Sequence, residues 1–226
     1  MKITHSVIFC FAGQIPLALI NIPWSLYSTF VIEHKFGFNK QTPQLFFKDV
    51  LLTQLLTVAI GAPLLAAFLK IVDYFGKRSL AFYVMVFLVT VQIVMIALYP
   101  TLIQPLFNKL EPLQEGEVKS KTEELCRKLK FPLGKLWVID GSRRSAHSNA
   151  YFYGLPWSKQ IVIYDTLIAQ SEPIEVVAVL AHELGHWANW DTTRQLLIAE
   201  VHLFSRCMVL SLGVFVFVFC HILDVY

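Results

Sequence analysis

The chain has 226 residues, 56% of them hydrophobic and 15% charged, with a net charge of +3 and a mean hydropathy of +0.57. An ordinary water-soluble domain carries a smaller apolar share and about a quarter charged residues, so that class is excluded. The small net charge also gives no electrostatic reason for a nucleic-acid partner, and none is expected.

The charged residues are clustered, which leaves long apolar stretches between them. From Ser6 to Ile32 there is no charged residue, although Pro16 and Pro23 interrupt the run. Leu51–Leu69 is uncharged, with Gly61 and Pro63 as a kink, and Ser79–Asn108 is uncharged with Pro100 and Pro105 near its end. Gln195–Leu223 is apolar apart from Glu200, His202, Arg206 and His221. Each stretch exceeds the roughly 18 residues that a membrane helix needs. Four spans are therefore expected, at about 6–32, 50–69, 79–108 and within 195–226. The first is a retained span, because it is too long for a signal peptide and lacks a small-x-small cleavage site. Cys10, Cys126, Cys207 and Cys220 have no framework spacing and read as small buried hydrophobes. Seven basic residues near spans (Lys35, Lys40, Lys48, Lys109, Lys119, Lys121, Arg194) lie on the side of the long connection, against four (Lys2, Lys70, Lys77, Arg78) on the other. This asymmetry puts the connection on the cytosolic side.

Within that connection, Glu115–Lys130 has the pattern of an amphipathic helix, with Val118, Thr122, Leu125 and Leu129 on one face. Two β-type runs, Leu136–Ile139 and Ile161–Tyr164, bracket Asn149–Gly154. The latter, followed by Leu155 and Pro156, suggests an edge strand stopped by a turn. Such an edge could accept an extended peptide by strand addition, or could be a plain hairpin strand. Arg143, Arg144, His147 and Asn149 are candidates for substrate contact or for turn roles.

The stretch Ala181-His182-Glu183-Leu184-Gly185-His186-Trp187 carries the chemistry. Four residues of helix advance about 400°, so His182 and His186 share a face one turn apart. Two imidazoles there can hold one Zn²⁺ and leave room for a third ligand and water. Glu183 is placed to act as general base on the attacking water. Ser171-Glu172-Pro173 looks like the helix start, with a cap, an early acid and a first-turn proline. The fold class expected is mainly α: a polytopic membrane protein with about four transmembrane helices and a small α+β zinc-protease segment carrying the H-E-x-x-H helix. Its domains would be 1–108 with three spans, 109–194 with the metal motif, and 195–226 with the fourth span.

Several blocks together resemble the CAAX prenyl protease 1 family, the type I CAAX endopeptidases. They are Glu33–Lys40, Pro105–Lys109, Ser145–Phe152, Gly154–Pro156 and Ala181–Trp187, in family order along nearly the whole chain. The resemblance implies an integral-membrane zinc protease of the endoplasmic reticulum and nuclear envelope, with a helical barrel around a large chamber. It implies removal of the last three residues after a prenylated cysteine, with a prenylated protein or peptide as substrate and membrane lipid as surroundings. Carried over by position, His182 and His186 are zinc ligands, Glu183 is the general base, and Asn149, Ala150 and Tyr151 belong to a substrate-binding edge strand.

The family pattern also has spans before the first one here, and a later Glu-x-x-Ala-Asp that supplies the third zinc ligand. This chain is thus expected to be a central piece of such an enzyme, without that ligand. Asp191 stands where the family usually has a histidine, so support of the site differs there. Glu200 lies 14 residues beyond His186, about 21 Å along a continuous helix, and could approach only if the helix breaks between 188 and 193. Two other readings remain: a catalytically inactive membrane fragment or paralogue, and a membrane quality-control zinc protease. The Glu33–Lys40 and Asn149–Pro156 blocks argue against the second.

Overall fold

A computed structural model describes residues 2–75, 80–155 and 157–223, with only the backbone described at 80–81 and 210–223. The chain divides into two units, one formed by residues 1–17, 52–95 and 193–226 and the other by 18–51 and 96–192.

The apolar stretches form long helices. Helix α1 spans Lys2–Tyr27 and continues through a π-helical turn at Ser28–Glu33. Helix α2 spans Pro43–Phe75, and α3 spans Leu80–Leu98. After α3 the chain passes through a π-helical segment, Tyr99–Ile103, into α4, Gln104–Phe107. The wide turn coincides with Pro100, which has no N–H to donate and so disrupts the regular ladder. Pro16 and Pro23 do not interrupt α1, and α2 runs as one helix through Gly61 and Pro63, longer at both ends than the expected span. At Gly61 a β-carbon would lie 3.1 Å from the Phe11 ring, so glycine there lets α2 approach α1 closely.

Among the described residues three helices are long and apolar enough to cross a membrane: Lys2–Glu33, Pro43–Phe75 and Phe82–Phe107. Phe9, Leu17, Leu55 and Ile93 stand exposed on them. Helices apolar on all faces are stable with such side chains outward only where the surroundings are lipid. The fourth expected span falls on the last helix, α8, which spans Asp191–Leu223. Its side chains beyond Val209, Cys220 included, lie outside the described residues.

The second unit contains a four-stranded sheet in the order β1-β2-β4-β3, formed by Leu110–Pro112, Leu133–Ile139, Ala150–Leu155 and Ser158–Tyr164 for β1 to β4. Strand β2 runs parallel to β4, and the other two pairings are antiparallel. Strand β3 is consequently an edge, as the turn signals after Asn149–Gly154 suggested. Gly154, at φ +115°, is required: a β-carbon would sit 2.6 Å from the Ser158 carbonyl oxygen. The other elements of this unit are α5 (Glu117–Leu129), α6 (Asp165–Gln170) and α7 (Pro173–Ala188).

One face of the sheet meets α5, α6 and α7 around a core of Cys126, Phe131, Leu136, Ala150, Ile161, Ile163, Leu167, Val176, Leu180 and Leu184. The buried face of α5 is Thr122 and Cys126, flanked by Val118 and Leu125; Leu129 lies in line with Thr122 but, as the last residue of the helix, is 38% exposed. Burial pushes the Cys126 thiol up to about 11, which makes it an inert core residue. Cys10, Cys126 and Cys207 are all free thiols.

The Glu33–Lys40 block has a structural role. Its loop pairs with the turn after the short 3₁₀ helix Gly141–Arg143: Ala146 N–H donates to the Phe38 carbonyl at 2.8 Å, and Lys40 N–H donates to Arg144 O at 3.1 Å. Arg144 donates from Nε and Nη2 to the two Asp49 oxygens, at 2.8 and 2.9 Å, and from Nη2 to the Phe107 carbonyl at 2.8 Å. The Asp49 hydrogen bonds hold the guanidinium above its ordinary pKa. Arg143 pairs with Asp140, and His147 stacks on Phe38 with Nε2 3.1 Å from Glu33 Oε2. Replacing Asp49 by Ala would leave the Arg144 fork without its bidentate acceptor, with both side chains about four-fifths buried. The expected loss is about 1–3 kcal/mol of stability. Thermal unfolding in detergent checks it, and an unchanged melting temperature would contradict this role.

Candidate metal centre

Helix α7 is closed at its start by a capping box. The Glu172 side chain accepts from the N3 backbone, and the Glu175 side chain accepts the Glu172 N–H at 2.9 Å, with Pro173 in the first turn. The cap is therefore Glu172, one residue beyond the Ser171 suggested by sequence. Val176, Leu180 and Leu184 recur every fourth residue and are at most 1% exposed, and Trp187 meets the Phe131 ring edge-on at 5.0 Å. That stripe ties α7 to the sheet, because Phe131 also meets Phe152 of β3 at 5.9 Å.

The opposite face carries the motif. His182 and His186 are exposed and Glu183 is half-buried. The two Nε2 atoms face one another at 3.2 Å, with the rings at 82°. Two nitrogens each about 2.0–2.1 Å from a tetrahedral ion are roughly 3.3 Å apart. The pair thus has the separation a shared zinc ion requires. His186 Nδ1, on the far side of its ring, lies 2.9 Å from Asp191 Oδ2. Among the described residues no group of three His, Cys, Asp or Glu side chains is placed to hold a metal ion. A helix break of the kind Glu200 would need does occur, at Asn189–Trp190. Glu200 Oε2 is buried without a hydrogen-bond partner among the described residues.

Strand β3, packed against α7, has its own pattern. Tyr164 N–H donates to the Asn149 carbonyl at 3.0 Å, and Tyr151 lies opposite Val162. By antiparallel alternation the main chain of Tyr151 bonds to β4, whereas the main-chain groups of Ala150 and Phe152 face outward. Ala150 is only 2% exposed and its N–H donates to its neighbour Asn149 Oδ1 at 2.8 Å, so the accessible outward section begins at Phe152. Gln104 Nε2 and the Tyr151 hydroxyl are hydrogen-bonded, and burial pushes that phenol up to about 12, so it stays protonated. Sequence reasoning missed Gln104, Asp49 and the contact made by Asp191. The first two depend on long-range packing, whereas an acid at a helix start just after the motif was visible.

Two family models match the chain: the CAAX prenyl protease N-terminal domain of five membrane helices over residues 1–109, and peptidase family M48 over 112–219. The chain belongs to the M48 peptidase family. Among curated M48 relatives, it is 48% identical to CAAX prenyl protease 1 of Saccharomyces cerevisiae over 198 residues, 86% of this chain and 44% of that protein. It is 46% identical to the Arabidopsis thaliana homologue (91% and 48%) and 36% identical to the human homologue (90% and 50%). The crystal structure of S. mikatae Ste24p superposes with a TM-score of 0.85 at 46% identity, covering 88% of this chain and 47% of that one. The chain spans about half the length of the curated relatives it matches. Membership makes it a membrane-embedded, multi-pass member of a metallopeptidase family.

Proposed function

We propose that this chain forms the metal-binding part of a zinc endopeptidase that removes the C-terminal tripeptide from prenylated CAAX proteins at the endoplasmic reticulum membrane, with the site on the cytosolic side. The observation that carries the reading is the convergence of His182 Nε2 and His186 Nε2 at 3.2 Å on a helix packed beside an edge strand. The relatives named CAAX prenyl protease 1 support the substrate class, and the apolar helices suit a substrate that carries a lipid.

In this reading His182 and His186 hold zinc together with a third protein ligand. Bound zinc supplies Lewis acidity at the scissile carbonyl. Glu183 takes the proton of the attacking water and returns it to the leaving amine. The outward main chain of β3, beginning at Phe152, pairs with the peptide and holds it extended across α7. Asn149 contributes by closing or releasing the Ala150 N–H, and Tyr151 by anchoring the strand through Gln104.

In the full-length enzyme, Glu183→Gln is expected to keep the fold and the zinc while lowering turnover of a farnesylated CAAX peptide by roughly 10²–10⁴-fold. Near wild-type cleavage by the variant would remove Glu183 as the base. Strand addition has a separate signature, because only alternate residues of an extended peptide bond to one neighbour. N-methylation scanned along the substrate should weaken binding about tenfold at every second position, as expected for one lost hydrogen bond. Equal tolerance at all positions would show that β3 does not receive the peptide.

A further inference from the structure

Asp191 lies outside the H-E-x-x-H motif and at the start of a different helix. Its Oδ2 nevertheless sits 2.9 Å from His186 Nδ1, while Nε2 of the same ring points at His182 Nε2 3.2 Å away. We infer that Asp191 is a positioning residue for the metal, holding the His186 ring so that the Nε2 lone pair is directed at the point shared with His182. The inference rests on the zinc-site reading above.

The chemistry runs through the tautomer. An ionised carboxylate can only accept a hydrogen bond, so His186 Nδ1 must carry the ring proton. Nε2 is then left with a bare lone pair, the form a metal ligand needs. Without that acceptor a neutral imidazole divides between two tautomers and turns about its ring torsion.

The backbone is shaped to allow this contact. In a continuous helix a residue five positions on would lie about 7.5 Å further along the axis and roughly 140° round it. Here α7 ends at Ala188, Asn189 N–H donates to Gly185 O, and Trp190 N–H donates to Trp187 O, both at 3.0 Å. Trp190 has φ +60°, a left-handed conformation at a position that helices usually give to glycine. The chain adopts this strained turn with a bulky residue, and the turn folds Asp191 back onto the last motif histidine. A competing explanation is that Asp191 serves only α8, as an acid in its first turn facing the positive end of the helix dipole.

The two roles separate by metal affinity rather than by turnover. The full-length protein, purified in detergent, is titrated with zinc against a chelator, and its metal-free form is melted in parallel. Asp191→Ala and Asp191→Ser are both expected to weaken zinc by about 10–100-fold. Asp191→Ser should melt close to the parent, because a partly exposed acid in the first turn adds little through the helix dipole. Cobalt substituted for zinc should show an altered visible spectrum in both variants. If Asp191→Ser holds zinc like the parent and only Asp191→Ala is impaired, the residue serves the helix start and the inference is overturned. It is equally overturned if both variants bind zinc like the parent while His186→Ala loses it. If His186→Ala itself keeps parental zinc affinity, the metal-site reading fails, and the role of Asp191 fails with it.

Discussion

The arrangement of the site depends on one packing constraint: the burial of Val176, Leu180 and Leu184 against the sheet. These residues lie on one side of α7 and are almost completely removed from water. Burying a Val or Leu side chain contributes roughly 1.5–3 kcal/mol each, which is ample to fix the rotation of a single helix. With that rotation fixed, residues 182 and 186 can only fall on the outer face, one turn apart. The geometry that brings their Nε2 atoms together is thus a by-product of which residues are apolar. The chemistry of the motif and the stability of the fold share one helix and use opposite faces of it.

Two further ties set the surroundings of that helix. Phe131 bridges β3 and α7 through Phe152 and Trp187, so the edge strand and the histidine helix are held as one body. Asp49 and Arg144 connect the segment after the first long helix to the turn that leads into β3, with Gln41 also donating to Asp49 at 2.9 Å. A charge pair that is mostly shielded from water needs complete hydrogen bonding to be favourable, and a bidentate fork with a backbone carbonyl as third partner supplies most of it. The polar loop between apolar helices is therefore ordered by charge, while the segment carrying the H-E-x-x-H helix is ordered by apolar burial.

What could be read from the sequence followed the range of the interactions. The H-E-x-x-H helix, the amphipathic α5, the two central strands and the edge character of β3 all depend on local periodicity or turn chemistry, and all were visible. The boundaries of α2, the three-residue β1 and the continuity of α1 through two prolines were not, because tertiary packing and apolar surroundings decide them. Leu129 keeps to the helical face of Val118 and Thr122, but as the last residue of α5 it is left 38% exposed, which periodicity alone does not show. The Gln104–Tyr151 and Asp49–Arg144 contacts join residues 47 and 95 positions apart, beyond the reach of any pattern. Asp191 is a different case. Its type and position were legible, but its contact with His186 depends on the left-handed turn at Trp190, for which the sequence offers no glycine as a signal.

The central claim is that His182 and His186 together hold zinc. Zinc X-ray absorption on the full-length protein tests it most directly, because imidazole nitrogen and cysteine sulfur scatter from different distances. The account requires two imidazole ligands at about 2.0–2.1 Å and no sulfur near 2.3 Å, with one imidazole lost when His182 is replaced by Ala. An unchanged imidazole count in that variant, or a shell of sulfur around the metal, would contradict it.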